Sequence, residues 1–439
     1  MKNLKLAAVC LSCLTMTGCS ALNFSVEGLI NAPKLTSEQS EIHQALIESV
    51  GSNITLKYPK NGEYRSAYVI ANIDDEPTDE AMVFYEYTSN GSEEDGLRVN
   101  ILDKDEDGKW YSVKELAGAG TDIDQVIISP MGSNNQTDVF VGYQNLTNDE
   151  KTMEIYSYTD GDFKRVALDT YSVLEPLDIN NDGYIELITI QRSTNNDTGA
   201  VTAKASMLNM KNNEITRGEN VDMCDNVTSY VSSKTGMLDS GRRAIFIDGL
   251  TADGKLQTEI IYYRYPMQLR SEKLLPLCTR PAGYYSEDMD GDGDVEIPST
   301  SPMVGYENAV ADEMLYMTTW SVYEDFYDLK TKYTGYYAIS DGYFVTFPKR
   351  WNSSVTVKKD SDTNELVFYK YTGDINESNE EIMRIAVSSK NDSEDYIADG
   401  YELIDSKGQL DYFVKLPLDR REKLIPTIDE IQNNFYIIN

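Results

Sequence analysis

Short apolar or alternating runs, separated by turns rich in Asp, Asn and Gly, dominate the chain from about residue 52 to 340. They fall at 67–73, 81–87, 97–102, 126–129, 139–143, 153–158, 185–191, 244–247 and 258–265. A period of two puts every second side chain on one face of a pleated strand, so these runs predict half-buried β-strands. Hairpin turns are expected at 104–108, 159–162 and 252–254. A different period precedes them. Thr36 and Gln39 fit a capping box, and Ile42, Ala45, Leu46 and Val50 follow at helical spacing. One amphipathic helix is expected near 37–50. Beyond 340 the pattern changes again. Strands are expected at 343–347, 355–358, 366–371 and 382–387, and helical periodicity runs through Leu424, Ile428 and Ile431. Residues 341–439 therefore read as a small C-terminal α+β domain; the rival reading is that their strands complete a ring with the preceding ones.

The N-terminus reads as a targeting segment. Lys2 and Lys5 precede an apolar stretch from Leu6 to Met16, too short to span a bilayer and of secretory-signal length. It ends in Thr17, Gly18 and Cys19, which resembles a bacterial lipobox. That resemblance implies a signal peptide at 1–18 and lipidation at Cys19. Residues 19–51 then form a tether and the short helix. A lipid-anchored protein on the extracytoplasmic face of the cell membrane is expected.

The chain carries 39 Lys and Arg against 73 Asp and Glu, a net charge of −34. Such a field repels nucleic acid and collects cations. Tyr is abundant, at 31 against 11 Phe, and suits half-buried strands or binding faces. Outside the N-terminal segment only Cys224 and Cys278 remain. They are either a disulfide or two buried thiols.

Two loops share one spelling. Asp178, Asn180, Asp182, Gly183 and Glu186 match Asp288, Asp290, Asp292, Gly293 and Glu296 at positions 1, 3, 5, 6 and 9. Oxygen side chains at alternate loop positions can converge, and glycine at position 6 permits the sharp turn. The carbonyls of Tyr184 and Asp294 add a ligand each. This all-oxygen set suits structural calcium rather than zinc. An EF-hand is excluded, because its position 12 would be Thr189 or Ser299. Residues 72–80 are a worn copy, with Pro77 where glycine is expected.

The two full loops and their following strands resemble the calcium loops of FG-GAP or VCBS repeats, blade units of integrin-type β-propellers. Together with the lipobox, the resemblance implies a β-propeller lipoprotein of a Gram-positive bacterium. Related turns near 72, 130 and 237 give, with 178 and 288, an average period of 54 residues. The expected fold is mainly β. A propeller-like array of about five four-stranded units with Asp-rich calcium loops occupies 52–340, and the α+β domain follows at 341–439.

The only histidine, His43, lies on the expected helix, and no phosphate loop is present. Nucleophile–histidine and histidine–zinc chemistry would rest on that one residue. Trp110, Trp320 and Trp351 read as core rather than as a sugar-stacking face. The leading expectation is a binding or scaffold module, not an enzyme, for an unknown protein or glycan at the cell surface. The alternative is a polysaccharide-active enzyme using paired carboxylates, but 73 acids single out no pair. A cleft with two facing carboxylates would favour that alternative.

Overall fold

The computed structural model describes residues 35–438, apart from short stretches at 75, 89–95, 131–136, 146–149, 160–161, 196, 212–213, 239, 267, 275–276, 311–312 and 325–327. Cys19 and the expected signal peptide lie outside the described residues. The fold is mainly β, with six antiparallel sheets of four or five strands. The chain divides into two compact units.

The smaller unit holds the helix Ser37–Val50 and one sheet. The capping box is present: Thr36 Oγ1 accepts from the Gln39 amide at 3.1 Å, and Gln39 Oε1 accepts from the Thr36 amide at 3.1 Å. The helix buries Ile42, Ala45 and Leu46 against Tyr68, Val83, Tyr85, Leu102 and Trp110. His43 Nδ1 meets the Tyr68 hydroxyl at 2.8 Å.

The larger unit carries five sheets, three of them consecutive meanders. The first runs Asp122–Pro130, Thr137–Gln144, Lys151–Thr159 and Asp162–Tyr171. The second runs Val173–Leu177, Glu186–Thr194, Val201–Lys211 and Glu214–Asp222. The third runs Val227–Met237, Arg243–Thr251, Lys255–Arg264 and Gln268–Lys273, with Arg280–Pro281 added on Lys255–Arg264. This repetition fits the propeller-like class expected. Hydrophobic clusters lie between successive sheets: Ile188, Ile190 and Ala205 pack on Ile245, Ile247 and Ile261. The strands not anticipated, such as Val227–Met237, bury few of their side chains and so carry little apolar signal.

The boundary expected at 340 falls inside a sheet. Asp328–Ala338 pairs with Tyr343–Thr346, which pairs in turn with Phe435–Ile437. The last sheet, built from Val355–Lys359, Leu366–Lys370, Glu381–Ser389, Leu410–Lys415 and Glu402–Lys407, is thus an insertion between those partners. It shares a core with them through Trp351, Val357, Phe368, Tyr343 and Phe435. All three tryptophans are buried, as a core reading requires.

Cys224 and Cys278 are buried free thiols. Burial pushes the Cys224 thiol up to about 12 and the Cys278 thiol upward as well. Cys278 Sγ accepts from the Thr258 amide at 3.2 Å, beside the most deeply buried ion pair described. There Arg280 Nη2 meets Asp248 Oδ1 at 2.7 Å, with both side chains at most 1 % exposed. Thr258 Oγ1 (2.7 Å) and the Ser286 amide (2.6 Å) complete the shell of Asp248. Removing one member leaves a buried charge without its partner. Arg280→Met is expected to cost about 3–5 kcal/mol in urea unfolding; a loss under about 1 kcal/mol would show that the pair does not hold this sheet.

Candidate active site

A cavity of about 390 Å³ opens where the first strands of the three meanders come together. Asp124 and Gln125 reach it from Asp122–Pro130, Leu174 and Glu175 from Val173–Leu177, and Tyr230 to Ser233 from Val227–Met237. The strands are laced together here. Gln125 Nε2 donates to the Leu174 carbonyl at 2.9 Å, and Ser233 Oγ donates to the Glu175 carboxylate.

Two of these strands bulge at the cavity. Pairing with the second strand shifts between Ile123 and Gln125, leaving Asp124 as the extra residue. A further shift between Tyr230 and Ser232 leaves Val231 extra. A bulge bends a strand and re-aims its side chain, which is how Asp124 comes to face its partners.

Two carboxylates border the cavity in opposite surroundings. Asp124 is 2 % exposed and fully engaged. Lys151 Nζ lies 2.8 Å from Oδ1, Asn61 Nδ2 donates to Oδ1 at 2.8 Å, and the Tyr171 hydroxyl donates to Oδ2 at 2.7 Å. These charge-assisted and neutral donors fix the orientation of the carboxylate. Glu175 has no cation on it among the described ion pairs. Burial pushes its pKa upward, the Ser233 hydrogen bond opposes this, and the charge of Asp124 adds to the rise. One carboxylate is thus paired and hydrogen-bonded on both oxygens, and its neighbour is biased toward the acid.

Gly142 makes the arrangement possible. A Cβ at this position would lie 2.0 Å from the Tyr171 hydroxyl and 3.5 Å from the Asp124 Cβ. Only a glycine lets the phenol pass to Asp124.

The two acidic loops stand apart from this cavity and occupy equivalent places. Leu177 pairs with Glu186 before and after the first loop, and Glu287 with Glu296 around the second. In the first, Asp178 accepts from the amides of Asp182 (3.0 Å) and Gly183 (3.2 Å). In the second, Asp288 accepts from those of Asp292 (3.1 Å) and Gly293 (3.0 Å). The position-9 acids accept from the Ile179 (3.2 Å) and Met289 (2.8 Å) amides. Tyr184 N and Asp294 N each donate to the position-5 carboxylate at 3.0 Å.

Their charges are balanced differently. Burial, then the charges of Asp182 and Asp178, pushes Glu186 up to about 7. In the second loop Asp288, Asp290 and Glu296 bring one oxygen each within 4.8 Å of one another, and the Lys332 ammonium is bound among these acids. The donor set of the first loop, all oxygen and short of positive charge, fits a hard divalent cation. The second already holds a cation of the chain's own. The worn copy at 72–80 is closed by a turn in which Asp74 Oδ1 accepts from the Glu76 amide at 3.0 Å.

No protein-family model matches this chain, and no curated relative does either. Solved structures similar to it include a protein from Lactobacillus plantarum, at 12% identity over 74% of this chain and 93% of that one, with a TM-score of 0.31. A rhamnogalacturonan lyase from Bacillus licheniformis matches at 9% identity over 72% of this chain and 74% of its own, TM-score 0.30. An α-L-arabinanase of Penicillium chrysogenum, complexed with arabinobiose, matches at 10% identity over 83% and 98%, TM-score 0.30. The expectation of a non-catalytic binding or scaffold module is corrected. The activities named among these structures are those of carbohydrate-active enzymes. A cavity lined by two carboxylates, Asp124 and Glu175, is also present. Sequence reading missed Asp124 and Glu175, because nothing local marks either acid.

The Gly142–Tyr171 contact yields a double-mutant test. Gly142→Ala is expected to cost about 1–3 kcal/mol by overpacking against the phenol. In a Tyr171→Phe background the cost should fall, because the blocking hydroxyl is gone. Equal costs in both backgrounds would place the strain elsewhere.

Proposed function

We propose that the chain is an extracytoplasmic polysaccharide-active enzyme whose chemistry is carried by Asp124 and Glu175. The observation that supports this reading is their placement on adjacent first strands, one paired with Lys151 and held by two further donors, one biased toward the acid. Cleavage of a glycosidic bond needs that asymmetry. Glu175 donates its proton to the leaving oxygen. The Asp124 carboxylate stabilises the positive charge that develops on the sugar ring; a water molecule then adds to the anomeric carbon and its proton passes to Glu175, which restores the acid. Lys151, Tyr171 and Asn61 are positioning residues that hold and orient Asp124. Ser233 orients Glu175.

In the same reading Cys19 carries a lipid anchor that holds the enzyme at the outer face of the cell membrane, where a surface glycan is its substrate. The FG-GAP or VCBS-like loop at Asp178, Asn180, Asp182, Tyr184 and Glu186 takes a structural calcium, which supplies the positive charge that Glu186 lacks.

Release of reducing ends from a panel of arabinans, galactans and rhamnogalacturonans tests the enzymatic reading. The wild type is expected to cleave at least one of them. Glu175→Gln and Asp124→Asn should each lower the rate by about 10²–10⁴ without unfolding the protein. No cleavage by a folded wild type, or full activity in both variants, rejects the assignment. The sign with pH follows from the role of Glu175. Activity falls as pH rises through its raised pKa, and Ser233→Ala, which removes an opposing hydrogen bond, moves that fall to higher pH.

Calcium is tested separately by thermal unfolding. It should raise the midpoint of the wild type, and Asp182→Ala alone should abolish the rise. An unchanged midpoint in the wild type rejects the calcium loop.

A further inference from the structure

The two loops of one spelling differ in what bridges their innermost oxygens. In the first, Asn180 Nδ2 donates to Asp182 Oδ2 at 3.0 Å and to Glu186 Oε1 at 2.8 Å. The amide orientation is fixed, because Asn180 Oδ1 accepts from the Asp182 amide at 2.8 Å. In the second, the equivalent oxygens are Asp292 Oδ2 and Glu296 Oε1. Lys332 Nζ donates to them at 2.5 Å and 2.7 Å. It also lies 2.8 Å from Asp290 Oδ2. A neutral donor thus occupies one loop and a full positive charge the other. Arg243, the cation paired with the first loop, meets only Asp178 there, at 3.2 Å.

The placement of Lys332 is built into the sheet. Pairing between Tyr316–Glu324 and Asp328–Ala338 runs Trp320 to Tyr333 and then Ser321 to Thr331, so Lys332 is the extra residue of a bulge. Its neighbour Tyr333 donates to Asp290 Oδ2 at 2.6 Å. Glu296 has no exposed side-chain surface, so the charge it carries has to be met from inside the protein. An ammonium with three donors and three carboxylate partners meets it.

We propose that Lys332 is the resident cation of the second loop, which for that reason takes no divalent ion. The two loops share a shape but differ in chemistry: a metal is called for in one and excluded from the other. The ammonium and a divalent ion would compete for the same oxygens of Asp290, Asp292 and Glu296. Removing the ammonium turns the second loop into an empty oxygen cage of the kind a hard cation selects.

Calorimetric titration of the full chain with calcium decides the matter. Asp290→Asn, with Lys332 in place, is expected to leave the number of bound calcium ions unchanged. Lys332→Met should bind one more calcium ion than the wild type, and the double variant Lys332→Met with Asp290→Asn should lose that extra ion. In chelator Lys332→Met should unfold at a lower temperature than the wild type, and calcium should restore it. Loss of a bound ion in Asp290→Asn alone overturns the proposal, as does a folded Lys332→Met protein that gains no ion. The first of these outcomes needs no substitution at Lys332, so the proposal stays testable if that variant does not fold.

Discussion

A carboxylate removed from water must find positive charge or several donors, and this chain has almost twice as many acids as cations. That shortage orders the larger unit. Arg280 serves Asp248, Lys151 serves Asp124, Lys332 serves the second acidic loop, and Arg384 serves Glu365 at 2.8 Å. Each cation is on a different strand from the acid it neutralises, so satisfying the charge also fixes how strands and loops meet. Burial still pushes some acids toward their protonated form, Glu175, Glu186 and Glu296 among them. The proposed chemistry depends on one of them, Glu175.

The sheets supply the positions. First strands converge on the cavity, and bulges there turn Asp124 and Val231 out of the regular alternation. The same device, used at Lys332 in a different sheet, carries a lysine into a loop. A flat strand with strict alternation would have sent both side chains to the opposite face. Local irregularity, not the sheet pattern, therefore places the charged groups that matter most.

Which parts of this were legible in the sequence follows from distance along the chain. The mainly β class, the turns at Gly108 and Gly254 and the helix cap at Thr36 depend on residues a few positions apart, and all were readable. The equivalence of the loops at 178 and 288 was readable too, since their internal bonds span at most eight residues. What was lost depends on remote partners. Asn61 and Tyr171 are 63 and 47 residues from Asp124, and Lys332 is 40 from Asp292. The pairing across residue 340 was hidden for the same reason, because Tyr343–Thr346 looks like the start of something new until Phe435–Ile437 is placed beside it.

That last pairing reaches beyond architecture. A strand near residue 345 waits for a partner some 90 positions later, and an entire five-stranded sheet is synthesised in the interval. During synthesis the fourth sheet of the larger unit therefore has an open edge until the insertion has been made and its chain has returned. Nascent protein at that stage exposes unpaired backbone next to apolar Phe344 and Val345. The insertion delays closure of the sheet, and the interval before closure is when the chain is most exposed to pairing with the wrong edge.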